Sequence, residues 1–363
     1  MKILRTYVLR EHAGPFFVTL GGLTAVLLIG NIVKFAELVI SKGVSLFDIL
    51  RLLIYLIPYT LTFTIPMTCL IAMVLAFGRL STDYELIAMR ASGVAPARLV
   101  LPLLVVGMVI SVLLLVVNDR LVPTSHLAFR RQLKAIGIER PTAYIEAGTF
   151  IKEFPPYIIF VYQVQGQKLY NIRIYEPQPN GPTRTIIADH GQFERLSDKR
   201  GVQLKLYDGT VDEWDPLRPG SFYKATFTTY AMNLRSDQND PERVAKKLRE
   251  MTFKELTAQR ERMNAEGIDT LPMSLELHRK VAVSFAALIF VMFGLTFGLQ
   301  LHHHERLTSF LWILGIFIAY YLGLVGMEAL ALKRWLPAWA AMWVPNLIGG
   351  AVSGVLVLRA VRR

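Results

Sequence analysis

Residues 99–118 read LVLPLLVVGMVISVLLLVVN, and none of these side chains carries a charge. A helix needs about 20 apolar residues to cross the hydrocarbon core of a bilayer. Five other stretches meet the same requirement and also lack Asp, Glu, Lys and Arg. The six predicted spans are Pro15–Val33, Leu52–Phe77, Leu99–Asn118, Val281–His304, Leu307–Met327 and Trp335–Leu358. The sequence therefore predicts an α-helical membrane protein with six transmembrane helices.

The composition agrees with this prediction. Of the 363 residues, 53% are hydrophobic and 19% are charged, against about 25% charged residues in soluble proteins. The first apolar stretch is as long as a full span and no small-x-small cleavage pattern follows it, so we expect a span and not a cleaved signal. The single cysteine, Cys69, lies in the second span and cannot form an intrachain disulfide.

The distribution of Lys and Arg predicts the orientation of the spans. Short loops on the N-terminal side carry 10 of the 40 basic residues, and the opposite short loops carry 5. The remaining 25 lie in segment 119–280. They are left out of the comparison, because long segments cross the membrane largely regardless of their charge. This bias predicts cytoplasmic termini and an extracytoplasmic segment 119–280. The net charge is +12. The sequence has no phosphate loop, no Cys/His zinc spacing and no recognition-helix pattern, so we expect the positive charge to contact anionic lipid and not nucleic acid.

Segment 119–280 contains short runs rich in Val, Ile, Tyr and Phe, separated by turn residues such as Asp208-Gly209. The runs are Ala143–Ile151, Tyr157–Val164, Leu169–Tyr175, Thr183–Ala188, Val202–Tyr207 and Phe222–Leu234. Strands without intervening helices predict an antiparallel sandwich or jelly roll. The predicted organisation is spans one to three at 1–118, a helical linker at 119–142, a jelly-roll-like β domain at 143–235, a second helical linker at 236–280, and spans four to six at 281–363.

The loop between spans two and three predicts a short separate helix at residues 82–92. Thr82 and Glu85 have the spacing of a capping box. Gly93 follows where a helix often ends, and Pro96 prevents its continuation.

This helix could dock into a groove of a cytoplasmic partner. Leu86 and Met89 would form an apolar edge, and Asp83 and Arg90 would share another. The alternative is an ordinary interfacial helix in which Glu85 acts only as a cap.

Other polar residues suggest weaker sites. Lys34, Lys42 and Arg51 lie near the outer ends of spans one and two and could bind lipid phosphates, or could merely anchor helix ends. His302-His303-His304-Glu305 lacks a matching ligand cluster, so no metal site is predicted. Asp189 and His190 occur without a nucleophile motif such as GxSxG, so no hydrolase is predicted.

Three features resemble one known family, the LptF/LptG (YjgP/YjgQ) lipopolysaccharide-export permeases. The first is the plan of three plus three spans around a β domain. The second is the loop Glu85…Arg90-Ala-Ser-Gly93, and the third comprises the stretches Tyr7–Glu11 and Leu275–Lys280. The resemblance covers essentially the whole chain, and the stretch Ile3–Glu11 leans toward the LptF type. One departure is Ser284, where the family pattern has proline, which affects the expected shape of the fourth span's outer half.

The resemblance implies a permease subunit of an ABC transporter in the bacterial inner membrane. Such permeases pair with a related sister permease and a dimeric cytoplasmic ATPase, which binds the ATP and Mg. They extract lipopolysaccharide and pass it to a bitopic jelly-roll partner and a soluble periplasmic bridge. This chain would then bind no cofactor and would not be an enzyme. The predicted ATPase-coupling residues are Asp83, Glu85, Leu86, Met89, Arg90 and Gly93, and the predicted headgroup contacts are Lys34, Lys42 and Arg51.

A lipid conduit in the β domain would use the inward-facing residues, which alternate along each strand. The candidates are Ile158, Phe160, Tyr162, Leu204, Leu206, Tyr223 and Phe227, and the alternative is that they fill an ordinary core. Two other functions stay open: a permease of a different ABC exporter, acting on a lipoprotein or peptide, and a non-transporting scaffold of envelope assembly.

Overall fold

A computed structural model describes residues 2–40, 43–95, 97–139, 147–151, 154, 156–166, 168–178, 181–195, 202–214, 222–234, 245–300 and 306–362. Six of its helices are long and apolar enough to cross a membrane. Strands β1–β6 lie between the third and the fourth of them in sequence and form one antiparallel sheet. The predicted class, a six-span membrane protein with an inserted β domain, is confirmed.

The helices are α1 (Lys2–Ile40), α2 (Leu46–Thr82), α3 (Glu85–Ala91), α4 (Ala97–Val116), α5 (Val122–Glu139), α6 (Phe253–Ala265), α7 (Leu271–Gln300), α8 (Arg306–Leu332) and α9 (Ala338–Arg362). A π-helical turn, Val117–Leu121, joins α4 to α5, and a 3₁₀ turn, Leu248–Glu250, precedes α6. The chain forms two compact units. The first comprises Met1–Gly30, Tyr55–His126 and Lys246–Arg363, and the second comprises Asn31–Ile54 and Leu127–Ala245.

Helix α7 is the centre of the first unit because its small residues let other helices approach. A Cβ on Gly294 would lie 2.5 Å from Met73 Cβ, and one on Gly298 would lie 2.5 Å from Phe77 Cβ, both on α2. A Cβ on Gly107 of α4 would lie 3.1 Å from Val291 Cγ2 of α7. The spacing Gly294-x-x-x-Gly298 indicates close contact between helices, and the structure confirms it. In α8, by contrast, Gly315, Gly323 and Gly326 have open space where a Cβ would stand.

Helix α6 begins with a capping box, as the spacing Thr252-x-x-Glu255 indicates. Glu255 N donates to Thr252 Oγ1 at 3.3 Å, and Thr252 N donates to Glu255 Oε2 at 2.9 Å. Lys246 also donates to the Glu255 carboxylate, and this hydrogen bond, followed by that of the Thr252 backbone, lowers the pKa of Glu255. Just beyond the last residue of the helix, Gly267 has φ +71°. The backbone N–H of Ile268 donates to Met263 O, as in a Schellman motif.

The sheet lies in the second unit. Its strands are β1 (Phe150–Ile151), β2 (Ile158–Gln165), β3 (Lys168–Gln178), β4 (Gly181–Arg195), β5 (Val202–Trp214) and β6 (Phe222–Leu234). Each strand pairs with its neighbour in sequence, so the described strands form a meander without the crossing connections that define a jelly roll in the strict sense. The core of this unit's β part lies on one face of the sheet, with Ile159, Ile172 and Leu204 fully buried.

A crease crosses the sheet at one row of residues. On β3, Leu169 is buried on one side of this row and Ile172 on the other, so the side chain that faces inward changes from odd to even positions. On β5, Leu206 is buried before the row, and Val211 packs against the same core after it. Asn171 and Asp208 have positive φ at this row, 53° and 50°. The row is Tyr162, Asn171, Asp189 and Asp208, as the strand registers on either side define it. The predicted turn at Asp208-Gly209 is therefore wrong, because these residues lie inside β5 at the crease.

Candidate functional site

The short helix between spans two and three is present as α3, Glu85–Ala91. The predicted capping box at its start is wrong, because α2 continues to Thr82 and the Thr82 hydroxyl donates back to Gly78 O at 2.9 Å. Tyr84, with φ 58°, separates the two helices. At the other end Gly93 has φ 77°, and Val94 N donates to Met89 O at 3.1 Å. Gly93 thus has the predicted helix-ending role.

Glu85 is held by the first span. The Tyr7 hydroxyl donates to both Glu85 carboxylate oxygens, at 2.7 Å and 3.0 Å. One turn further along α1, Glu11 accepts from Arg79 Nη1 at 2.8 Å, and Arg79 Nε lies 3.5 Å from Asp83 Oδ2. Two links therefore join α1 to the junction of α2 and α3. Sequence reasoning missed Tyr7, although its place in the stretch Tyr7–Glu11 was part of the resemblance.

The apolar edge predicted for partner docking faces inward. Leu86 is 8% exposed and belongs to a core cluster with Val8 and Phe77, and Met89 packs against the same cluster. The apolar side chains that α3 exposes are instead Ile87, at 57%, and Tyr84 just before the helix, at 63%. Because residues 86 and 87 differ by one position, a helical wheel from sequence could not tell which of them faces the body of the protein.

Asp83 and Arg90 were predicted to share a polar edge. Asp83 is exposed beside Arg79. Arg90 lies in α3, and its side chain is outside the described part of the chain.

The three predicted headgroup contacts differ in their surroundings. Lys34 is exposed near the end of α1. Arg51 is exposed on α2, with its guanidinium carbon 4.9 Å from the centre of the Phe47 ring. Lys42 lies outside the described residues. Lys34 and Arg51 belong to the second unit. In this unit, the last part of α1 and the first part of α2 pack on an apolar cluster that includes Phe35, Leu52 and Ile136.

The predicted conduit residues divide between the two faces of the sheet. Leu204 and Leu206 face inward and are fully buried, and Phe227 packs against the same core. The phase predicted for β2 is wrong by one residue, because Ile159 and Val161 are the buried positions. Tyr162 and Tyr223 are 50% and 58% exposed, and Ile158 and Phe160 are partly exposed. Strand β2 has apolar residues at every position from 158 to 162, so alternation could not identify its inner face.

A polar network lies inside the first unit, within the helices that sequence analysis treated as apolar spans. Thr62 donates to Asn118 Oδ1, and Asn118 Nδ2 donates to Ser284 Oγ, both at 2.9 Å. Ser284 in turn donates to Lys280 O at 2.7 Å. Ser284 is the residue that departs from the family pattern, and α7 is helical through it. The Ser284 hydroxyl links the π-helical turn after α4 to α7.

A cavity of about 240 Å³ adjoins this network. Its wall contains Arg249, Glu276, Arg279, Lys280 and Glu328, besides the aromatic rings of Tyr59, Phe63 and Tyr321. The cavity lies between the first half of α2, the turn after α4, the start of α5, the first half of α7 and the second half of α8. Sequence reasoning missed it because its charged residues come from separate segments and stand just outside the apolar windows.

Among the described residues, no group of three or more His, Cys, Asp or Glu side chains could hold a metal ion. The His302–Glu305 run lies outside those residues. Asp189 and His190 are a surface pair at 3.2 Å, with the imidazole stacked on Tyr207.

Six spans, an inserted antiparallel sheet and a separate short helix between spans two and three define a multi-pass membrane protein of the permease type. Residues 6–359 match the family described as lipopolysaccharide export system permease LptF/LptG, and the chain belongs to that family. It is a multi-pass protein of the inner membrane. A relative from Rickettsia prowazekii (strain Madrid E), the uncharacterized protein RP871, is 22% identical over 240 residues, which cover 66% of this chain and 65% of that protein.

Proposed function

We propose that this chain is the permease subunit of an ABC transporter that extracts lipopolysaccharide from the inner membrane and passes it to a periplasmic bridge. Membership of the LptF/LptG family supports the substrate class. The observation that carries the transport role is the pair of hydrogen bonds from Tyr7 to Glu85, which joins α3 to the first span. A dimeric ATPase on a separate chain supplies ATP hydrolysis, because this sequence has no phosphate loop.

The proposed coupling starts at the exposed side of α3. Ile87 and Tyr84 contact the ATPase, and Glu85 accepts further hydrogen bonds from it, since a carboxylate has more acceptor sites than Tyr7 occupies. Movement of the ATPase displaces α3, and the Tyr7–Glu85 link transmits that displacement to α1. In this arrangement both termini and α3 are cytoplasmic, and residues 119–280 are periplasmic.

The proposed route of the lipid begins at the outer ends of spans one and two. Lys34, Lys42 and Arg51 provide positive charge for the phosphorylated headgroup. The acyl chains then follow the apolar face of the sheet, around Leu204 and Leu206. A bitopic partner continues the sheet at an open edge, since an unpaired strand edge offers backbone hydrogen bonds to a partner strand.

The test combines assembly and transport. The chain is produced with its sister permease and ATPase, purified as a complex, and reconstituted with lipopolysaccharide. Glu85→Gln keeps the side-chain length and an acceptor for Tyr7 but removes the charge, so we expect assembly to persist and lipid release per ATP to fall about tenfold. The matched control is Glu261→Gln, the same change at an exposed carboxylate of α6, which should behave like the unaltered chain. Unchanged release in Glu85→Gln contradicts the coupling role.

The identity of the lipid is tested separately, with photo-crosslinkers at positions 34 and 42 and along β1 and β6 in cells. Adducts with lipopolysaccharide at the first two positions support the headgroup role, and adducts in the sheet support the conduit. Adducts with phospholipid alone, or a lipoprotein or peptide in the purified complex, would favour a different exporter. A complex that lacks an ATPase would favour a scaffold.

A further inference from the structure

The wall of the cavity at the start of α7 contains a buried lysine. Lys280 is 6% exposed, and its Nζ donates to the backbone oxygens of Asn118 at 3.0 Å and Met251 at 2.8 Å. Among the described residues, no carboxylate oxygen lies within 4.0 Å of this nitrogen. A buried charge is stable only when it is paired or well hydrogen-bonded. Lys280 therefore has capacity for an anion.

Arg279, the neighbouring residue, is held only loosely. Its Nη1 lies 3.7 Å from Glu276 Oε2 and 3.8 Å from Glu328 Oε1, both beyond hydrogen-bonding distance. The Arg279 side chain is 18% exposed and faces the cavity. Its N–H groups make no hydrogen bond with the described residues, although a guanidinium is suited to two parallel bonds to one oxyanion.

The charges in the cavity wall leave an excess of one positive charge. Arg249, Arg279 and Lys280 are opposed by Glu276 and Glu328. Next to the wall, the Glu250 carboxylate accepts from His126 Nδ1 at 2.8 Å and from the Lys247 backbone at 3.0 Å. One singly charged anion would balance the charges of the five wall residues themselves.

The rest of the wall is apolar and includes Phe63, Val283, Leu324 and Val325. The ligand therefore combines a single negative charge with a hydrocarbon part. The cavity is also lined by residues of four of the helices that are long and apolar enough to cross a membrane.

We propose that this cavity binds the phosphate headgroup of an anionic phospholipid. The Arg279 guanidinium and the free donor of Lys280 take the phosphodiester oxygens, and the acyl chains leave along Val283 and Leu324. The site lies within one permease chain, and the proposal stands whether or not this chain exports lipopolysaccharide.

The test is native mass spectrometry of the full chain in detergent, with equimolar phosphatidylglycerol and phosphatidylethanolamine of distinguishable mass. We expect the chain to retain phosphatidylglycerol preferentially. Arg279→Gln should reduce that preference about tenfold, as expected for the loss of one charge-assisted contact. The matched control is Lys333→Gln, which removes an exposed cation of the same unit from outside the cavity wall.

A second variant changes the affinity in the opposite direction. Glu328→Gln removes a carboxylate from the wall and should increase phosphatidylglycerol retention several-fold, so the proposal is still tested if Arg279→Gln does not fold. Equal retention of the two lipids, or equal behaviour of the Arg279 and Lys333 variants, overturns the proposal. Displacement of the lipid by inorganic phosphate alone, or preferential retention of lipopolysaccharide in a competition, overturns the assignment to a phospholipid.

Discussion

The first and fourth spans have nearly the same hydropathy but opposite surroundings. The most apolar 18-residue stretches of these two spans have mean hydropathies of 2.1 and 2.3. No residue of the stretch in the first span is buried within the chain, whereas 67% of the stretch in the fourth span is buried. Helix α1 is packed near its ends, at Val8 and Phe35, whereas α7 is packed along its length. Hydropathy thus shows that a segment crosses the membrane and says nothing about what it contacts there. The bare middle of α1 is available to lipid or to another chain.

The largest effect is expected where glycine allows close packing. Gly294→Val places a Cβ 2.5 Å from Met73 Cβ and 3.0 Å from Leu70 O, and should destabilise the fold by about 3 kcal/mol. Gly21→Val in α1 meets no atom within 4 Å and should cost less than about 0.5 kcal/mol. Thermal unfolding in detergent measures both variants. Equal losses would mean that α1 is packed as tightly as α7.

A smaller effect is expected from the polar network beside α7. Asn118→Leu removes the hydrogen bonds with Thr62 and Ser284 and should cost about 1–2 kcal/mol. The corresponding change at α1 is Thr24→Val, which removes one long hydrogen bond of 3.3 Å to Thr64 and should cost below about 0.5 kcal/mol. The same unfolding assay ranks them, and a reversed order would contradict the contrast between the two spans.

Tyr7→Phe tests whether the hydrogen bonds between α1 and α3 couple ATP hydrolysis to lipid release. The substitution removes only the hydroxyl that donates to Glu85, so we expect little change in the unfolding temperature. Lipid released per ATP should fall about fivefold to tenfold in the reconstituted complex. Tyr55→Phe is the control, because the Tyr55 hydroxyl on α2 makes no hydrogen bond with the described residues. If Tyr7→Phe lowers the unfolding temperature but leaves the lipid released per ATP unchanged, the Tyr7–Glu85 hydrogen bonds are only structural.

The smallest effect concerns the start of α7. The Leu271 backbone N–H and then the Arg334 guanidinium lower the pKa of Asp269. A lowered pKa contributes stability above the unfolded value of about 3.9, and this contribution is lost as the pH falls through the folded value. The unfolding temperature of Asp269→Asn should therefore lie slightly below that of the unaltered chain from pH 7 to 5. The difference should shrink as the pH falls below about 4 and vanish only below the folded pKa of Asp269. A difference that persists there would exclude the charge of Asp269 as its cause.

Patterns that depend on many residues were predictable from this sequence. Six apolar windows, the antiparallel sheet and the cap at Thr252 and Glu255 all follow from composition or fixed spacing. Features that depend on one neighbour in space were not. Thr82 has the right spacing for a cap, but α2 uses its hydroxyl, and Leu86 and Ile87 are equally apolar although only Leu86 packs inward. The cavity around Lys280 comes from helices distant in sequence, so no local pattern could reveal it.

The sequential order of the strands has a consequence for how the β domain is made. Every strand of the sheet pairs with the one synthesised just before it, so no strand has to wait for a distant segment to appear. The β2–β3 hairpin, closed at Gly166, can form first, and β4, β5 and β6 can then add one at a time. Contacts between segments near in sequence close small loops and form quickly. The domain can therefore assemble during synthesis, in the same direction as the chain emerges.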